Sequence, residues 1–437
     1  MLQLELFEKA YTDQYQEHGL LYEMPQVGDV TFLNGMNEPV HRWFRLTPSY
    51  APELVRHLVE ALECDSKTFI CEPFLGKGTT IIELKKLGLH GIGIELNPLL
   101  KLASEYALTW EVNVNSFAQF VAETNQTLST LLRQCQAMSL EQALSEYDLA
   151  LPTIHDVFRW WKPDVLKDLL LIKNVSGQIE NQKYKKLYWL ALCSAALDCA
   201  NVHRNHPTIS FDDDHTRQID VLAEFSGKLA QIVQDLQTLP ARSTWGEVSC
   251  VNGDSTRLAE FVDEKIDRVI TSPPYPNRFS YVHTTRPQLF FMDVIQEASK
   301  SAEIDLAAIG GTWGKATSVL YDGIIEPHAN IANALDAVIQ ELRPKSNLMC
   351  NYAIKYFNMM DDHIRELKTR ASRKFRGAYV VGNSRLSGVE ILTEVILAKS
   401  FESNGFKVDK ILVLRKRGGK KKLFETVICV SANHRFS

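Results

Sequence analysis

The run Val269-Ile270-Thr271-Ser272-Pro273-Pro274-Tyr275 carries the residue types best suited to chemistry in this chain. An apolar strand reaches a hydroxyl, then two prolines, then an aromatic ring. Prolines fix φ and lack N–H donors, so the chain must leave a sheet here as a stiff loop. Their carbonyl oxygens stay available as acceptors. A rigid acceptor cluster beside a flat ring suits an amino group on a planar base. The ring holds the face of the base, and the acceptors hold its NH₂. A Pro-Pro turn can also merely end a strand, so the meaning of the segment depends on its company.

That company begins at residues 68–80, Thr-Phe-Ile-Cys-Glu-Pro-Phe-Leu-Gly-Lys-Gly-Thr-Thr. Thr68 to Cys71 reads as a short strand, Phe74 to Gly78 as a glycine-rich turn, and Thr79 to Leu87 as a helix. This is the strand–turn–helix unit of a doubly wound sheet, in which ligands bind beyond the carboxyl ends of the strands. The G-x-G spacing lacks the G-K-[ST] ending of a phosphate loop, so Lys77 does not indicate an ATPase. The next strand, Gly91-Ile92-Gly93-Ile94, ends in Glu95, about 20 residues past the turn, where a carboxylate can accept ribose hydroxyls. Asn97-Pro98 starts a further helix. A third strand, Val248 to Val251, leads to Asn252-Gly253-Asp254, and Asp254 is placed to accept from an adenine amino group.

Taken together, these segments resemble the S-adenosylmethionine-dependent amino-methyltransferases of DNA over roughly residues 40–110 and 245–432. Phe74-Leu75-Gly76-Lys77-Gly78 is similar to that family's cofactor turn. His41-Arg42-Trp43-Phe44 through Leu54 resembles the segment that closes over the methionine moiety. The resemblance implies cofactor contacts from Trp43, Phe44, Glu72, Pro73, Phe74, Gly76, Gly78, Thr79 and Thr80. It adds Glu95 at the ribose, Asn97, Asp254 at the adenine, and Ser255. Ser272, Pro273, Pro274 and Tyr275 match its catalytic tetrapeptide. Ser in the first place is usual in enzymes acting on the cytosine N4 amine, and Asp or Asn in those acting on adenine N6. The implied activity is site-specific DNA methylation at cytosine N4, in a restriction–modification or other defence setting. Double-stranded DNA is the expected substrate, and a restriction endonuclease or other defence subunit the expected partner. Adenine-N6 methylation, RNA methylation and a non-catalytic DNA-recognition subunit are the alternatives.

The chemistry needs no metal, because the sulfonium already carries positive charge. The cytosine amine is a poor nucleophile and is hidden in the duplex, so the base must swing out into a pocket. Ser272 and the Pro273 carbonyl are expected to accept its N–H bonds. Tyr275 is expected to stack on the base, an interaction worth roughly 1–3 kcal/mol. No His/Asp pair stands near Ser272 to make it a covalent nucleophile.

The 437 residues suffice for two or three domains, and 45% hydrophobic with 23% charged residues fit a globular chain with a large core. The sequence has no apolar run of membrane-spanning length and no secretory pattern near Met1. Eight scattered cysteines without a C-x-x-C pair suggest buried thiols in a reducing, cytoplasmic compartment and argue against structural zinc. A net charge of −5 excludes a nonspecific nucleic-acid coat, so contacts to DNA require local basic surface. Two basic clusters are candidates: Arg415 to Lys422 at a hairpin tip, and Lys368, Arg370, Arg373, Lys374 and Arg376. The DNA contacts expected are Arg278, His203, Arg204, Lys420 and Lys421. Asp212-Asp213-Asp214-His215 reads as a solvated loop, and His203 with His206 lacks a metal-binding spacing.

The expected fold class is α/β: a doubly wound, class I methyltransferase-like sheet with a long all-helical insert. Residues 1–40 form an N-terminal extension. Residues 41–110 and 245–437 form the methyltransferase domain. Residues 111–244 form the insert, with helical spacing over 117–138, 157–172, 183–200 and 219–239, and they offer a possible target-recognition region. Trp160-Trp161 reads as helix core. Further helices are expected over 326–342, 349–374 and 389–403, a buried strand over 379–384, and a terminal strand pair over 407–414 and 424–430.

Overall fold

Parallel strands need crossover connections, and this chain supplies helices for nearly all of them. In the computed structural model, which describes residues 19–23, 35, 37–46, 49–203, 209–212, 217–312, 314–321, 323–417 and 423–433, the elements run as follows. β1 (Tyr22–Glu23) precedes α1 (Pro52–Ala61), β2 (Phe69–Glu72), α2 (Thr79–Lys86), β3 (His90–Glu95) and α3 (Pro98–Ala107). The insert then contributes α4 (Val114–Gln134), α5 (Leu140–Glu146), α6 (Val157–Trp160), α7 (Pro163–Val175), α8 (Gln182–Asp198) and α9 (Val221–Leu236). β4 (Val248–Asn252) and β5 (Ile266–Thr271) follow, then α10 (Tyr281–Phe291), α11 (Ala298–Ala307), α12 (Lys315–Ser318), α13 (Ala332–Leu342) and α14 (Asn347–Arg370). The chain ends with β6 (Ala371–Gly382), the small hairpin β7 (Ser384–Leu386) and β8 (Val389–Ile391), α15 (Thr393–Ser403), β9 (Phe406–Arg417) and β10 (Leu423–Ala432).

One eight-stranded sheet has the order β1-β9-β10-β6-β5-β2-β3-β4. β10 runs antiparallel to both its neighbours, while the other pairings are parallel. β5 is buried along its whole length, as a central parallel strand covered on both faces must be. Successive residues feed opposite cores: Val269 joins one and Ile270 the other, and Tyr379, Val380 and Val381 alternate likewise. α13, α14 and α15 cover one face. The insert covers the other, and its Leu169, Leu190, Phe225 and Trp161 share one continuous core with Ile70 and Ile270. Trp160 and Trp161 are core residues, and the Trp161 indole donates to the Ala196 carbonyl (2.8 Å).

Three expected boundaries shift for tertiary reasons. The helix expected from Val389 begins only at Thr393, because Val389–Ile391 pairs with Ser384–Leu386 as the hairpin of β7 and β8. The helix expected from Glu326 starts only at Ala332. Residues 328–330 are instead pinned to α14, where Asn358 accepts the His328 N–H (2.9 Å) and Asp361 accepts from Asn330 (2.7 Å). The helix expected to reach Lys374 stops at Arg370, because Ala371 onward pairs with β5. Arg373, Lys374 and Arg376 therefore lie on a strand, at the amino edge of the sheet. Lys374 pairs with Asp267 (3.3 Å) and Arg376 with Glu63 (3.0 Å), so this cluster does not flank the carboxyl edge.

The insert also grips the segment before the glycine turn. Asp235 of α9 is fully buried and accepts from the Val40 N–H (3.0 Å), the Trp43 indole (2.7 Å) and the Arg42 guanidinium. Removing one partner of such a buried cluster strands the others. Asp235→Ala is expected to lower unfolding stability by about 3–5 kcal/mol, measured by urea titration. A loss below about 1 kcal/mol would show that other contacts hold this segment.

Candidate active site

The strand order reverses between β2 and β5, whose register pairs Ile70 with Arg268 and Cys71 with Val269. Such a switch point opens a crevice at the carboxyl ends of the strands. Here it forms a partly enclosed cleft. From the residues singled out in the sequence, it brings together Pro73, Phe74, Gly76, Glu95, Asn97, Asp254, Ser255, Ser272 and Pro274. The glycine turn and the Pro-Pro loop, 196 positions apart from Gly76 to Ser272, thus share one cavity.

The turn is shaped by two left-handed residues, Gly76 (φ 55°) and Gly78 (φ 86°), the latter capping α2. A Cβ on Gly78 would lie 3.0 Å from the Ser104 side chain. Ser104 itself donates to the Gly76 carbonyl (2.9 Å), so α3 braces the turn. Glu95 receives the Gly76 N–H (2.7 Å) on one oxygen and the Asn97 N–H (2.8 Å) on the other. Burial pushes its carboxyl up to about 7, against the pull of those N–H groups. Asn97 caps α3 and donates to Thr285 (2.9 Å), joining this wall to α10. Asp254 accepts from the backbone and hydroxyl of Thr256 through one oxygen.

The Pro-Pro loop is held from behind. Tyr356 of α14 donates to the Pro274 carbonyl (2.7 Å), and the Asn277 N–H to the Tyr275 carbonyl (2.8 Å). Arg278 (φ 61°) gives its N–H to the Tyr352 hydroxyl (3.0 Å) and is exposed just past the loop. The Tyr275 hydroxyl donates to Glu425 on β10 (2.9 Å), and the Arg417 guanidinium sits 5.1 Å from the centre of its ring. Arg415 pairs with the same Glu425 (2.5 Å). The described part of the basic hairpin thus faces the loop, while Lys420 and Lys421 lie outside the described residues.

Other expected site residues stand behind the cleft or elsewhere. Pro273 and Tyr275 are not among its lining residues. Trp43 and Phe44 are buried, with Trp43 committed to Asp235. Gly78, Thr79 and Thr80 belong to the start of α2, where Thr79 and Thr80 are buried. Glu72 is buried beneath the cleft and accepts from Tyr50 (3.0 Å), Thr80 (2.5 Å), Thr271 and the Phe74 N–H (3.0 Å). Burial pushes its carboxyl up to about 7 as well. Lys77 turns inward and donates to the His41 carbonyl (3.1 Å). His203 lies in the insert, its N–H bonded to the Ser210 carbonyl (2.9 Å), and Arg204 is outside the described residues. Glu38, His41 and Glu83 come close enough to suggest a metal, but Arg56 and Lys86 already pair with the carboxylates.

Sequence reasoning missed the far wall: Tyr281, Val282, Ile304, Ala307, Ala308 and Ile309. Nothing in their spacing marks them. They reach the cleft only because α10 and α11 fold back over it.

No family model matches the chain. It is 24% identical over 427 residues to the Type II methyltransferase M.BsoBI of Geobacillus stearothermophilus, covering 89% of this chain and 83% of that one. It is 23% identical over 445 residues to the Type II methyltransferase M.AvaI of Anabaena variabilis (94% and 88% covered). With the Type II methyltransferase M.MvaI of Kocuria varians it shares 21% over 388 residues (85% and 83%). Among solved structures, TrmN from Thermus thermophilus aligns with a TM-score of 0.30 and 9% identity, over 87% of this chain and 48% of that one. The rRNA methyltransferase aviRa from Streptomyces viridochromogenes gives 0.30 and 10%, over 87% and 86%. The chain is thus similar along most of its length to Type II methyltransferases. Among the described residues no helix is long and apolar enough to cross a membrane.

The cleft suits S-adenosylmethionine in one testable respect. Glu95 offers its remaining lone pairs to hydroxyl donors, and such donors favour the carboxylate. A ligand donating to it therefore lowers its pKa from about 7 and releases a proton. Affinity for S-adenosylmethionine is expected to rise with pH up to about 7 and to level off above it. Glu95→Gln should weaken binding and flatten the profile. Calorimetry in buffers of different ionisation enthalpy measures both, and a wild-type affinity constant between pH 6 and 8 would refute this role for Glu95.

Proposed function

We propose that this chain is a site-specific DNA methyltransferase acting on the exocyclic N4 amine of a cytosine extruded from double-stranded DNA, within a restriction–modification system. The observation that carries the reading is the shared cleft, in which Gly76, Glu95 and Asp254 stand on one side and Ser272 with Pro274 on the other. The Type II names of the relatives support DNA as the substrate and a restriction endonuclease as the partner activity.

The residues fit S-adenosylmethionine. Gly76 brings backbone close to the cleft, Glu95 suits the ribose hydroxyls, and Asp254 suits the adenine amine. The bound cofactor would supply an electrophilic sulfonium methyl group. The protein's task is then to position a weak nucleophile. Tyr356 occupies the Pro274 carbonyl, which leaves the Pro273 carbonyl and the Ser272 hydroxyl as acceptors for the two amine hydrogens. Accepting both bonds makes the nitrogen more tetrahedral and directs its lone pair into the cleft. Tyr275, with its hydroxyl fixed by Glu425 and one face under Arg417, offers its other face to the base. Ser272 at the head of the loop favours cytosine over adenine.

The test is incubation with methyl-labelled S-adenosylmethionine and duplex DNA, followed by digestion to nucleosides. Label is expected in N4-methylcytosine. Label in N6-methyladenine would move the activity to the adenine branch, and unlabelled DNA would end the proposal. Ser272→Ala is expected to lower kcat by about 10²-fold or more, as loss of one transition-state hydrogen bond does, with cofactor affinity unchanged.

A further inference from the structure

Arg286 is the exception among the partly or fully buried arginines near the core. Arg42, Arg56 and Arg415 each pair with a carboxylate, and Arg268 and Arg417 donate to backbone carbonyls. Arg286, on α10, has no carboxylate partner among the described residues. Among the described residues its Nε is shut off from solvent without an acceptor, and the Phe290 ring lies 5.9 Å from the guanidinium carbon. The side chain is only half-buried, so an anion can reach it. A guanidinium whose Nε is shut off from water without a partner burdens the free protein. It makes sense where a ligand supplies the missing negative charge.

Its position says which ligand. α10 follows the Pro-Pro loop directly, and its first residues, Tyr281 and Val282, line the cleft. At a rise of 1.5 Å per residue, Arg286 sits about 6 Å along the helix axis from Val282. His283, one turn earlier, has its pKa lowered by burial and by the Arg286 charge. Asp305, whose charge acts on His283, is buried and accepts from Ser280 (2.5 Å). A strand that delivered its base into the cleft past Tyr281 and Val282 would run its backbone along this end of α10. We propose that Arg286 binds a phosphodiester group of the DNA strand that carries the target base, next to the extruded nucleotide. This rests on the reading of the substrate as DNA. It assigns backbone positioning to α10 rather than to the helical insert, and it leaves sequence readout to other residues.

The experiment uses the full chain and a duplex that the wild-type protein methylates. Arg286→Ala is expected to leave S-adenosylmethionine affinity unchanged and to raise Kd for that duplex about tenfold, the usual loss for one charge-assisted contact. The slope of log Kd against log salt should fall by about 0.9, the signature of one lost phosphate contact. Arg286→Lys should restore the slope while recovering only part of the affinity, which separates charge from folding. Methylation proceeding in both variants with the wild-type slope and Kd would overturn the site while leaving the methyltransferase reading intact. Inorganic phosphate protecting the wild-type protein but not Arg286→Ala against heat, with an unaltered salt slope, would mark a free-anion site and equally refute the contact to the strand. A wild-type chain that neither binds nor methylates DNA would instead bring down the underlying reading, and this site with it.

Discussion

One buried carboxyl group ties the working parts together. Glu72 is the last residue of β2, and its two oxygens collect donors from four places. Phe74 belongs to the glycine turn, Thr80 to α2, Thr271 to the end of β5, and Tyr50 to the segment before α1. These bonds add to the β2–β5 pairing in holding the four places together. Thr271 immediately precedes Ser272, so the same carboxyl fixes the start of the Pro-Pro loop and the start of the glycine turn. Removal from water opposes ionisation at such a site and hydrogen bonds favour it, and the balance leaves the group titrating near neutrality. Its place is under the floor of the cleft, where it sets the spacing between two walls without touching what lies between them.

The sheet makes that spacing possible. β2 and β5 are far apart in sequence, yet they are hydrogen-bonded neighbours at the one place where the strand order reverses. Both turns therefore emerge on the same edge and face each other. The loops that leave β3 and β4 emerge beside them and bring Glu95 and Asp254. Four strand ends, each closed by a small or acidic residue, are enough to specify a cavity, and the helices need only cover the faces.

This explains what was legible in the sequence. The strand ends were, because each is a local pattern: an apolar run, a glycine or proline bend, and one polar side chain. The insert's helices were also legible, since an apolar stripe repeats along them. The far wall was not. Ile304 and Ile309 look like any apolar residues, and only the return of α10 and α11 over the sheet turns them toward the cleft. The start of β6 was hidden for a related reason. Residues 371–376 suit a helix end by composition, and their pairing with β5 overrides that preference. Lys77 shows the reverse case. The missing G-K-[ST] ending already set aside a phosphate loop, but only the fold shows that its ammonium holds the His41 carbonyl.

That lysine bond also bears on the insert. Asp235 of α9 holds Val40, Arg42 and Trp43, His41 lies between them, and the His41 carbonyl receives Lys77 from the middle of the glycine turn. Ser194 of α8 adds a bond to the Trp43 carbonyl (2.6 Å), and Cys193 accepts from Gln288 of α10 (2.9 Å). The insert thus contacts both the segment leading to the glycine turn and the helix that leaves the Pro-Pro loop. Three of its large aromatic side chains, Trp161, Tyr188 and Phe225, are fully buried. A module built solely to read DNA would have no need to commit its aromatics and a buried carboxylate to the sheet. The physical work visible in the insert is bracing: it fixes the two sides of the cleft against each other from the face that α13, α14 and α15 leave open.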